Sequence, residues 1–193
     1  MQKVTKYTIF ETKWGYFGLA GNENGLLRTC LPNNNPEKIK SRLLTISQAP
    51  RFEKQLFNTV QEQIIAYFAC PACPEYNRRE RSRRKGACVN FSFDIPIILD
   101  GLSIFHRSVL TTCRSIKSGE IITYSALAQK IGRPGAARAV GNALAQNPLP
   151  LIIPCHRVIR SDGKIGGFSA AGGTKTKIKL LRYEQQITGN NKK

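Results

Sequence analysis

The chain has 193 residues, 41% hydrophobic and 22% charged, which is enough for one large or two small domains with cores of their own. Thirty Lys and Arg residues stand against twelve Asp and Glu residues, and the formal net charge is +18. This excess predicts an anionic partner, with nucleic acid favoured over an anionic membrane surface. No apolar run approaches the ~20 residues of a membrane span, so we expect no membrane association.

The N-terminus leads into no apolar signal core, so we expect the protein to stay in the reducing compartment where it is made. That compartment is the cytoplasm with its nucleoid, or the nucleus in a eukaryote. Cys70 and Cys73 have a metal-like spacing, with Cys30 and Cys88 as candidate partners. A single C-x-x-C pair is a weak signal, so the sequence predicts neither a metal nor another cofactor.

The N-terminal part of the chain alternates between apolar and polar residues in a way that predicts a small antiparallel sheet. The expected strands are 7–10, 16–20 and 26–30, and the turns between them are 12–15 and 22–25. A Pro- and Asn-rich loop is expected at 32–36. Apolar residues at helical spacing then predict a helix over about 52–68.

An Arg-rich run at 78–85 interrupts the middle of the chain. Such a run is most often a solvated loop, and contact with a DNA backbone is the alternative. Strand-like residues follow at 89–98, and Asp100-Gly101 is a turn signal. We place a domain boundary at this turn, between an N-terminal α/β domain (1–100) and a C-terminal domain (101–193).

From Ser103 onward the pattern becomes helical. The apolar face of the first helix is expected to consist of Ile104, Val109, Leu110 and Cys113. Thr123 is a suitable N-cap for a second, shorter helix that reaches Ile131. His106 lies in an apolar helix, and we interpret it as structural rather than catalytic.

Gly132 can close that helix, and Pro134 can open the next one over about 135–144. Two short helices around a tight turn predict a helix-turn-helix, with an ordinary αα-hairpin as the alternative. On the second helix, Arg138 is the only long side chain on the outward face. The other outward residues are small or short: Gly141, Asn142 and Ala145. This face suits close approach to DNA, or equally a tightly packed surface between helices.

Cys155 follows a short apolar run that two prolines bracket, which predicts a rigid, buried strand that presents the thiol. His156 and Arg157 come next, and nearby cationic groups favour a thiolate. A cysteine is usually a small core residue. In this setting we interpret Cys155 as a reactive nucleophile.

The segment PCHRV at 154–158 resembles the active-site signature of the O6-alkylguanine-DNA alkyltransferases, or methylated-DNA–protein-cysteine methyltransferases. Further blocks of the family's pattern stand in the same order at 119–124, 137–143, 147–148, 166–169 and 180–184. The resemblance covers about 100–185 closely and the N-terminal part loosely. It implies an α+β fold in which a small RNase H-like α/β domain with antiparallel strands precedes a mainly helical, winged-helix-like domain.

The resemblance also implies a role for each residue of the reaction centre. Cys155 would accept the alkyl group, and His156 would take the thiol proton through a water. Glu184 would orient and charge-balance His156. Asn147 would hold the turn that carries the loop, and Tyr124 would donate a hydrogen bond to the departing guanine.

Two further sets of residues are implied to contact DNA. Arg138 would enter the duplex through the minor groove and fill the gap left by a flipped nucleotide. Its neighbours at the DNA would be Ala137, Gly141, Asn142, Thr123 and Ser125. The base pocket would comprise Val158, Arg157, Phe168 and Ser169. Phe168 stands where relatives commonly carry Tyr, so the aromatic wall remains without its hydroxyl.

The implied function is stoichiometric transfer of the alkyl group from O6-alkylguanine, and from O4-alkylthymine, in double-stranded DNA to Cys155. A monomer would act once, because an S-alkylcysteine is a thioether that water does not open. One alternative is a helix-turn-helix regulator or damage sensor without transferase activity; relatives of that kind carry Trp where this chain has Cys155. A cysteine hydrolase using Cys155 and His156 is another, although it would leave Arg138 and Tyr124 without a role.

Overall fold

A computed structural model describes residues 4–46, 49–69 and 93–188. The N-terminal part is built on a four-stranded sheet of order β3-β2-β1-β4. Its strands are β1 (Lys6–Thr12), β2 (Gly15–Asn22), β3 (Gly25–Asn33) and β4 (Arg51–Phe52). The first three pair antiparallel, as predicted, and β4 pairs parallel with β1.

Two predictions in this part are wrong in their bounds. The expected loop at 32–36 is shorter, because β3 runs to Asn33 and helix α1 (Pro36–Leu44) begins directly after Asn35. The Asn35 side chain caps α1 by accepting from two backbone amides, and proline fits the first helical turn. The helix expected over 52–68 is α2 (Asn58–Ala69), because Phe52 belongs to β4 and is 58% exposed.

The C-terminal part is mainly helical. Its helices are α3 (Ile104–Arg114), α4 (Tyr124–Lys130), α5 (Ala137–Ala145) and α6 (Gly173–Thr188). Two short parallel strands, β5 (Ile122–Thr123) and β6 (Val158–Ile159), and a 3-10 turn (Cys155–Arg157) lie between them. The mixed α+β class, with a small antiparallel sheet and a helical C-terminal part, is therefore confirmed.

The two short helices of the predicted helix-turn-helix are α4 and α5. The Thr123 hydroxyl caps α4 by accepting from the Ala126 amide, as predicted. Gly132 follows α4 with φ +69°, a left-handed conformation that suits glycine at the end of a helix. The second helix begins at Ala137 rather than residue 135, so Pro134 lies in the turn and opens no helix.

The apolar face predicted for α3 holds at Val109, Leu110 and Cys113, which are buried. Ile104 does not belong to it, because it stands at the first turn and is 81% exposed. The strand expected at 89–98 is also wrong for its described part. Between residues 93 and 98, the chain forms only an isolated bridge, which joins Ile97 to Leu26.

A continuous hydrophobic core joins the two parts of the chain, with contributions from Phe17 on β2, Tyr67 on α2 and Leu110 on α3. Cys70, Cys73, Cys88 and the Arg-rich run at 78–85 lie outside the described residues. Within the described ranges, no helix is long and apolar enough to cross a bilayer, and no group of His, Cys, Asp or Glu side chains forms a candidate metal site.

Candidate active site

Cys155 opens the 3-10 turn and lies at the junction of two cavities. Its side chain is 7% exposed. The larger cavity has a volume of about 1070 Å³ and is bordered by α4, α5 and the loop before α6. The smaller one, of about 360 Å³, reaches the N-terminal sheet and includes Cys30. The thiol can therefore meet a group that enters from the helix-turn-helix side.

The segment before Cys155 is buried as predicted, but it forms a bend and a turn closed by an isolated bridge between Pro150 and Ile153 rather than a strand. Leu151 has φ +79°, a left-handed conformation that a strand does not contain. The Asn147 amide donates to the Ile153 carbonyl (2.9 Å) and to Cys155 Sγ (3.2 Å). The Thr29 hydroxyl on β3 donates to the Pro150 carbonyl at 2.7 Å. The loop is therefore held from both parts of the chain.

A closed polar cluster, which we call the Glu184 cluster, contains His156, Arg157, Glu184 and Tyr67. The Glu184 carboxylate is 1% exposed and receives His156 Nε2 at 2.9 Å and the Tyr67 hydroxyl at 2.8 Å. Arg157 donates to both carboxylate oxygens, at 2.7 and 2.8 Å. The structure thus brings Glu184 to His156, and it adds two partners that the sequence did not suggest.

The donors of the Glu184 cluster fix its charge state. Burial alone would raise the pKa of Glu184, but His156 and Arg157 together hold it well below its ordinary value. Burial lowers the pKa of His156, and the attraction of Glu184 offsets this only partly. His156 is therefore neutral near pH 7. Because a carboxylate only accepts, Nε2 carries the imidazole proton and Nδ1 is left as a base.

The expectation that Arg157 faces the thiol or lines the base pocket is wrong. Its guanidinium is 4% exposed, binds Glu184 and donates to the Ile116 carbonyl at 2.5 Å. Arg157 lines a different cavity, of about 440 Å³. Arg157, the cation that the sequence places next to Cys155, therefore pairs with the Glu184 carboxylate instead of the thiol.

The cation that acts on the thiol is Lys177 of α6. Burial raises the pKa of Cys155, while the Asn147 hydrogen bond and the charge of Lys177 lower it. Lys177 is 1% exposed and donates to the Val158 carbonyl at 2.6 Å and to the Tyr124 hydroxyl at 3.3 Å. Sequence reasoning missed this residue, although a lysine three and seven positions before Leu180 and Glu184 falls on the buried face of α6.

The larger cavity brings most of the predicted DNA and base contacts together. Tyr124 opens α4, and a Cβ placed on Gly166 would meet its hydroxyl at 3.1 Å. Gly166 also has φ +73°, so glycine leaves room for the tyrosine and accepts the backbone bend. The predicted residues that line this cavity are Tyr124, Ser125, Ala137, Arg138, Gly141, Asn142, Cys155, Phe168 and Ser169.

Besides Arg157, two further predicted contact residues lie elsewhere. Thr123 is occupied as the N-cap of α4, and its side chain does not line the cavity. Val158 is fully buried in β6, and its carbonyl already accepts from Lys177. Arg138 is exposed on α5, as the helical wheel predicted, whereas Val140, Ala143 and Leu144 face the core. Arg160 also lines the cavity and was not predicted.

The fold and the site define a helix-turn-helix protein whose second helix borders a cavity that ends at a cysteine. Residues 104–186 match the family model described as "6-O-methylguanine DNA methyltransferase, DNA binding domain". The chain is 35% identical over 192 residues to the methylated-DNA–protein-cysteine methyltransferase of Rattus norvegicus, covering 95% of this chain and 84% of that one. With the enzyme of the same name from Methanosarcina acetivorans, identity is 34% over 178 residues, covering 92% and 97%.

The solved structure of Mycobacterium tuberculosis OGT in complex with DNA superposes with a TM-score of 0.71 at 28% identity, covering 94% of each chain. The O6-methylguanine-DNA methyltransferase of Pyrococcus kodakaraensis shares the fold, with a TM-score of 0.61 at 18% identity. The chain belongs to the methylated-DNA–protein-cysteine methyltransferase family.

Proposed function

We propose that this protein repairs O6-alkylguanine in duplex DNA by transferring the alkyl group to Cys155. The observation that carries the proposal is the position of the Cys155 thiol, at the end of the cavity that α5 borders and in contact with Asn147. The relatives over nearly the whole chain are enzymes of this name. The DNA complex of the M. tuberculosis relative supports DNA as the partner.

Activation of the thiol would begin at the Glu184 cluster. The Nε2–H of His156 donates a hydrogen bond to Glu184. Nδ1 would therefore be the nitrogen that takes the Cys155 proton through a water. Since Arg157 already neutralises Glu184, the carboxylate chiefly orients the imidazole. The thiolate that results is stabilised by the Asn147 amide and by Lys177.

The thiolate then attacks the alkyl carbon: the carbon–sulfur bond forms as the bond from carbon to guanine O6 breaks. Negative charge moves into the purine, and the Tyr124 hydroxyl on the cavity wall donates to it. Phe168 would cover one face of the base, and backbone groups at Cys155 and Ser169 would hold its edge. Val158 contributes less than the resemblance implies, because its carbonyl is engaged by Lys177.

Arg138 would keep the damaged nucleotide in the cavity. Its side chain stands on the exposed face of α5 and borders the cavity that ends at Cys155. The small neighbours Ala137, Gly141 and Asn142 allow a DNA backbone to approach the helix closely. Arg138 would enter the minor groove and take the place of the extruded base.

The product is an S-alkylcysteine, and each monomer would act once because a thioether offers water no route back to the thiol. We include O4-alkylthymine as a second substrate, since it presents the same alkyl–oxygen bond. The protein would work wherever the chromosome lies: in the nucleoid of a prokaryote or the nucleus of a eukaryote.

Mass spectrometry after incubation with a duplex that contains O6-methylguanine tests the proposal. One methyl group should appear per protein molecule and map to the peptide with Cys155. Cys155→Ala should abolish transfer and keep DNA binding. Cys30→Ala is the matched control, because Cys30 borders the smaller cavity beside Cys155 and should be dispensable. Several turnovers per molecule, or a methyl group on another cysteine, would contradict the proposal.

The sequence selectivity of DNA binding distinguishes a repair protein from a helix-turn-helix regulator. Phosphate contacts from a chain of net charge +18 should make binding fall steeply with salt and be nearly indifferent to sequence. A strong consensus site from selection with random oligonucleotides would favour the regulator instead.

A further inference from the structure

Arg160 is a cation of the larger cavity that has no part in the proposed transfer to Cys155. It directly follows β6, and its side chain is 57% exposed at the cavity wall. Its stem lies beside the reaction centre, since a Cβ placed on Gly166 would lie 3.5 Å from Arg160 Cγ and 3.1 Å from the Tyr124 hydroxyl. Among the described residues that line the cavity, the charged ones are Arg138 and Arg160. Both are positive, so this lining favours an anionic ligand.

In the free protein, Arg160 is paired with Asp162. Its Nε donates to Asp162 Oδ1 at 3.1 Å, and its Nη2 donates to Asp162 Oδ2 at 2.8 Å. The same carboxylate accepts from the Lys164 backbone amide at 3.1 Å, which fixes it within the turn at 160–164. The hydrogen bond from Arg160 lowers the pKa of Asp162, so the carboxylate is charged near pH 7. Asp162 itself does not line the cavity.

The pair between Arg160 and Asp162 contributes little to the stability of the fold. Both side chains are exposed, at 57% and 39%, and surface ion pairs are weak because water screens them. The pair nevertheless holds the guanidinium in the two-pronged arrangement with which arginine binds carboxylates and phosphates. A DNA phosphate presents two oxygens in a similar arrangement. It can therefore replace the carboxylate without a loss in the number of hydrogen bonds.

An extruded nucleotide would bring a phosphate to the cavity. Rotating a nucleotide out of the duplex turns the backbone on both sides of it, so the flanking phosphates follow the base toward the pocket. Arg138 is the only cation of α5, and it would occupy the gap in the base stack. The phosphates are then left without a cation from that helix. Arg160 supplies one from the segment after β6, on another wall of the same cavity.

We propose that the Arg160 guanidinium binds a backbone phosphate next to the nucleotide that enters the cavity, and that Arg160 exchanges Asp162 for this phosphate when DNA binds. The inference rests on the proposed function and makes Arg160 a positioning residue. Asp162 orients the guanidinium in the free protein and competes with the phosphate for it. Removing the charge of Arg160 should therefore weaken DNA binding, whereas removing the charge of Asp162 should strengthen it.

The experiment measures affinity for a duplex that contains O6-methylguanine, with Cys155→Ala in every protein so that no methyl group is transferred during the titration. Arg160→Gln should weaken binding by about 10-fold, the scale of a lost hydrogen bond to a charged group, and should lower the salt slope by about 1. Asp162→Asn should tighten binding by about threefold, the scale of an exposed ion pair. Arg182→Gln is the control, because Arg182 is exposed on α6 and does not line the cavity. An equal loss of affinity in Arg182→Gln would overturn a specific role of Arg160.

A series of modified duplexes locates the phosphate. In each duplex, one phosphate near O6-methylguanine is replaced by a methylphosphonate, which keeps the shape of the backbone and removes the charge. At one position beside the damaged nucleotide, the replacement should weaken binding by about 10-fold when Arg160 is present, and Arg160→Gln should then cause little further loss. At the other positions, Arg160→Gln should keep its full effect. The same loss from Arg160→Gln at every position would overturn the phosphate contact.

The double variant Arg160→Gln, Asp162→Asn tests the exchange. If Asp162 competes for the guanidinium, the gain from Asp162→Asn should disappear once Arg160 is replaced. An equal gain in both backgrounds would mean that Asp162 merely repels DNA, and it would overturn the exchange. Failure of the proposed function would look different, since wild-type protein would then carry no methyl on Cys155. Failure of the phosphate contact would leave that transfer in place.

Discussion

Behind Cys155 lies the closed, polar Glu184 cluster, whereas in front of it lies an open cavity lined by small residues and two exposed arginines. The cluster hides a cationic arginine, a neutral histidine and a carboxylate that are each less than 5% exposed. The α5 side of the cavity carries Arg138, Gly141 and Asn142. The cluster is therefore fixed by buried charge pairing, whereas among the described residues the ion pair at the cavity, Arg160 with Asp162, is exposed.

The two regions therefore contribute differently to the reaction at the Cys155 sulfur: the Glu184 cluster through stability and ionisation, and the cavity wall through DNA binding. Substitutions in the Glu184 cluster should change the stability of the fold and, through His156, the ionisation of the thiol. Substitutions at the cavity wall should change how DNA is engaged and leave the fold alone. The following experiments test that separation.

The largest effect on stability is expected for Glu184→Gln. The substitution keeps the shape but removes the counter-ion of Arg157, which is 4% exposed. Breaking a buried ion pair from one side costs about 3–5 kcal/mol. Urea unfolding measures this loss. The control is Glu62→Gln on α2, an exposed position that accepts a hydrogen bond from Asn58, where the change should stay within about 0.5 kcal/mol. Equal losses of unfolding free energy in the two variants would mean that the Glu184 cluster does not stabilise the fold more than an exposed hydrogen bond does.

Acid should weaken the cluster in the same direction. The pKa of Glu184 is depressed in the folded state, so its contribution is present above its unfolded pKa of about 4.3 and is lost as the pH falls toward the folded value. The lowered pKa of His156 acts likewise below about 6.5. The free energy of unfolding should therefore fall steadily from about pH 6.5 downward. In Glu184→Gln, the part of this slope below about pH 5 should be shallower.

Arg138→Ala should act on the other side of the sulfur. An extruded base costs a few kcal/mol of stacking, so losing the side chain that replaces it should slow repair in duplex DNA by about 100-fold. Repair of free O6-alkylguanine should hardly change, and the melting temperature should stay the same. Arg133→Ala is the control, because Arg133 is an exposed cation in the turn before α5. A similar loss on the free base would place Arg138 in the pocket chemistry instead.

The smallest effect is expected at Thr29, which ties the N-terminal sheet to the loop before Cys155. Thr29→Val leaves the Pro150 carbonyl without its 2.7 Å hydrogen bond and should cost about 1–3 kcal/mol. Transfer should slow as well, since the loop carries the nucleophile. Thr8→Val removes a longer hydrogen bond to Lys54 (3.4 Å) far along the sheet and should leave the rate unchanged. A slower alkyl transfer in both variants would indicate a general loss of stability rather than a specific role of the Thr29 hydrogen bond.

The sequence predicted those elements whose signals are local. The three antiparallel strands, the Thr123 cap and the buried face of α5 follow from alternation, a side-chain oxygen and helical spacing. The start of α2 was misplaced because Phe52 fits a helical spacing that β4 overrides by pairing with β1. Ile104 was placed in the core because periodicity does not tell which end of a helix has a neighbour.

At the site, adjacency along the chain was misleading. Cys155, His156 and Arg157 are consecutive, yet Arg157 binds a carboxylate on α6. The cation that acts on the thiol is Lys177, which lies 22 positions after Cys155. Tyr67 joins the Glu184 cluster from α2. A motif identifies which residue reacts, but the partners that set its charge come from tertiary packing. The roles proposed for Asn147, Tyr124 and Glu184 stay predictions, although each lies where such a role requires.

The contacts that complete the reaction centre span long stretches of chain. The Thr29 hydroxyl reaches a carbonyl 121 residues away, and the Tyr67 hydroxyl reaches a carboxylate 117 residues away. Closing such distances is slow and comes late in folding. Until α6 docks, Cys155 would therefore lack the nearby charge of Lys177 and the His156 that Glu184 orients. The acceptor site is thus completed only when residues far apart in the chain have met, and a fold that opens between its two parts would lose the site while its helices and strands persist.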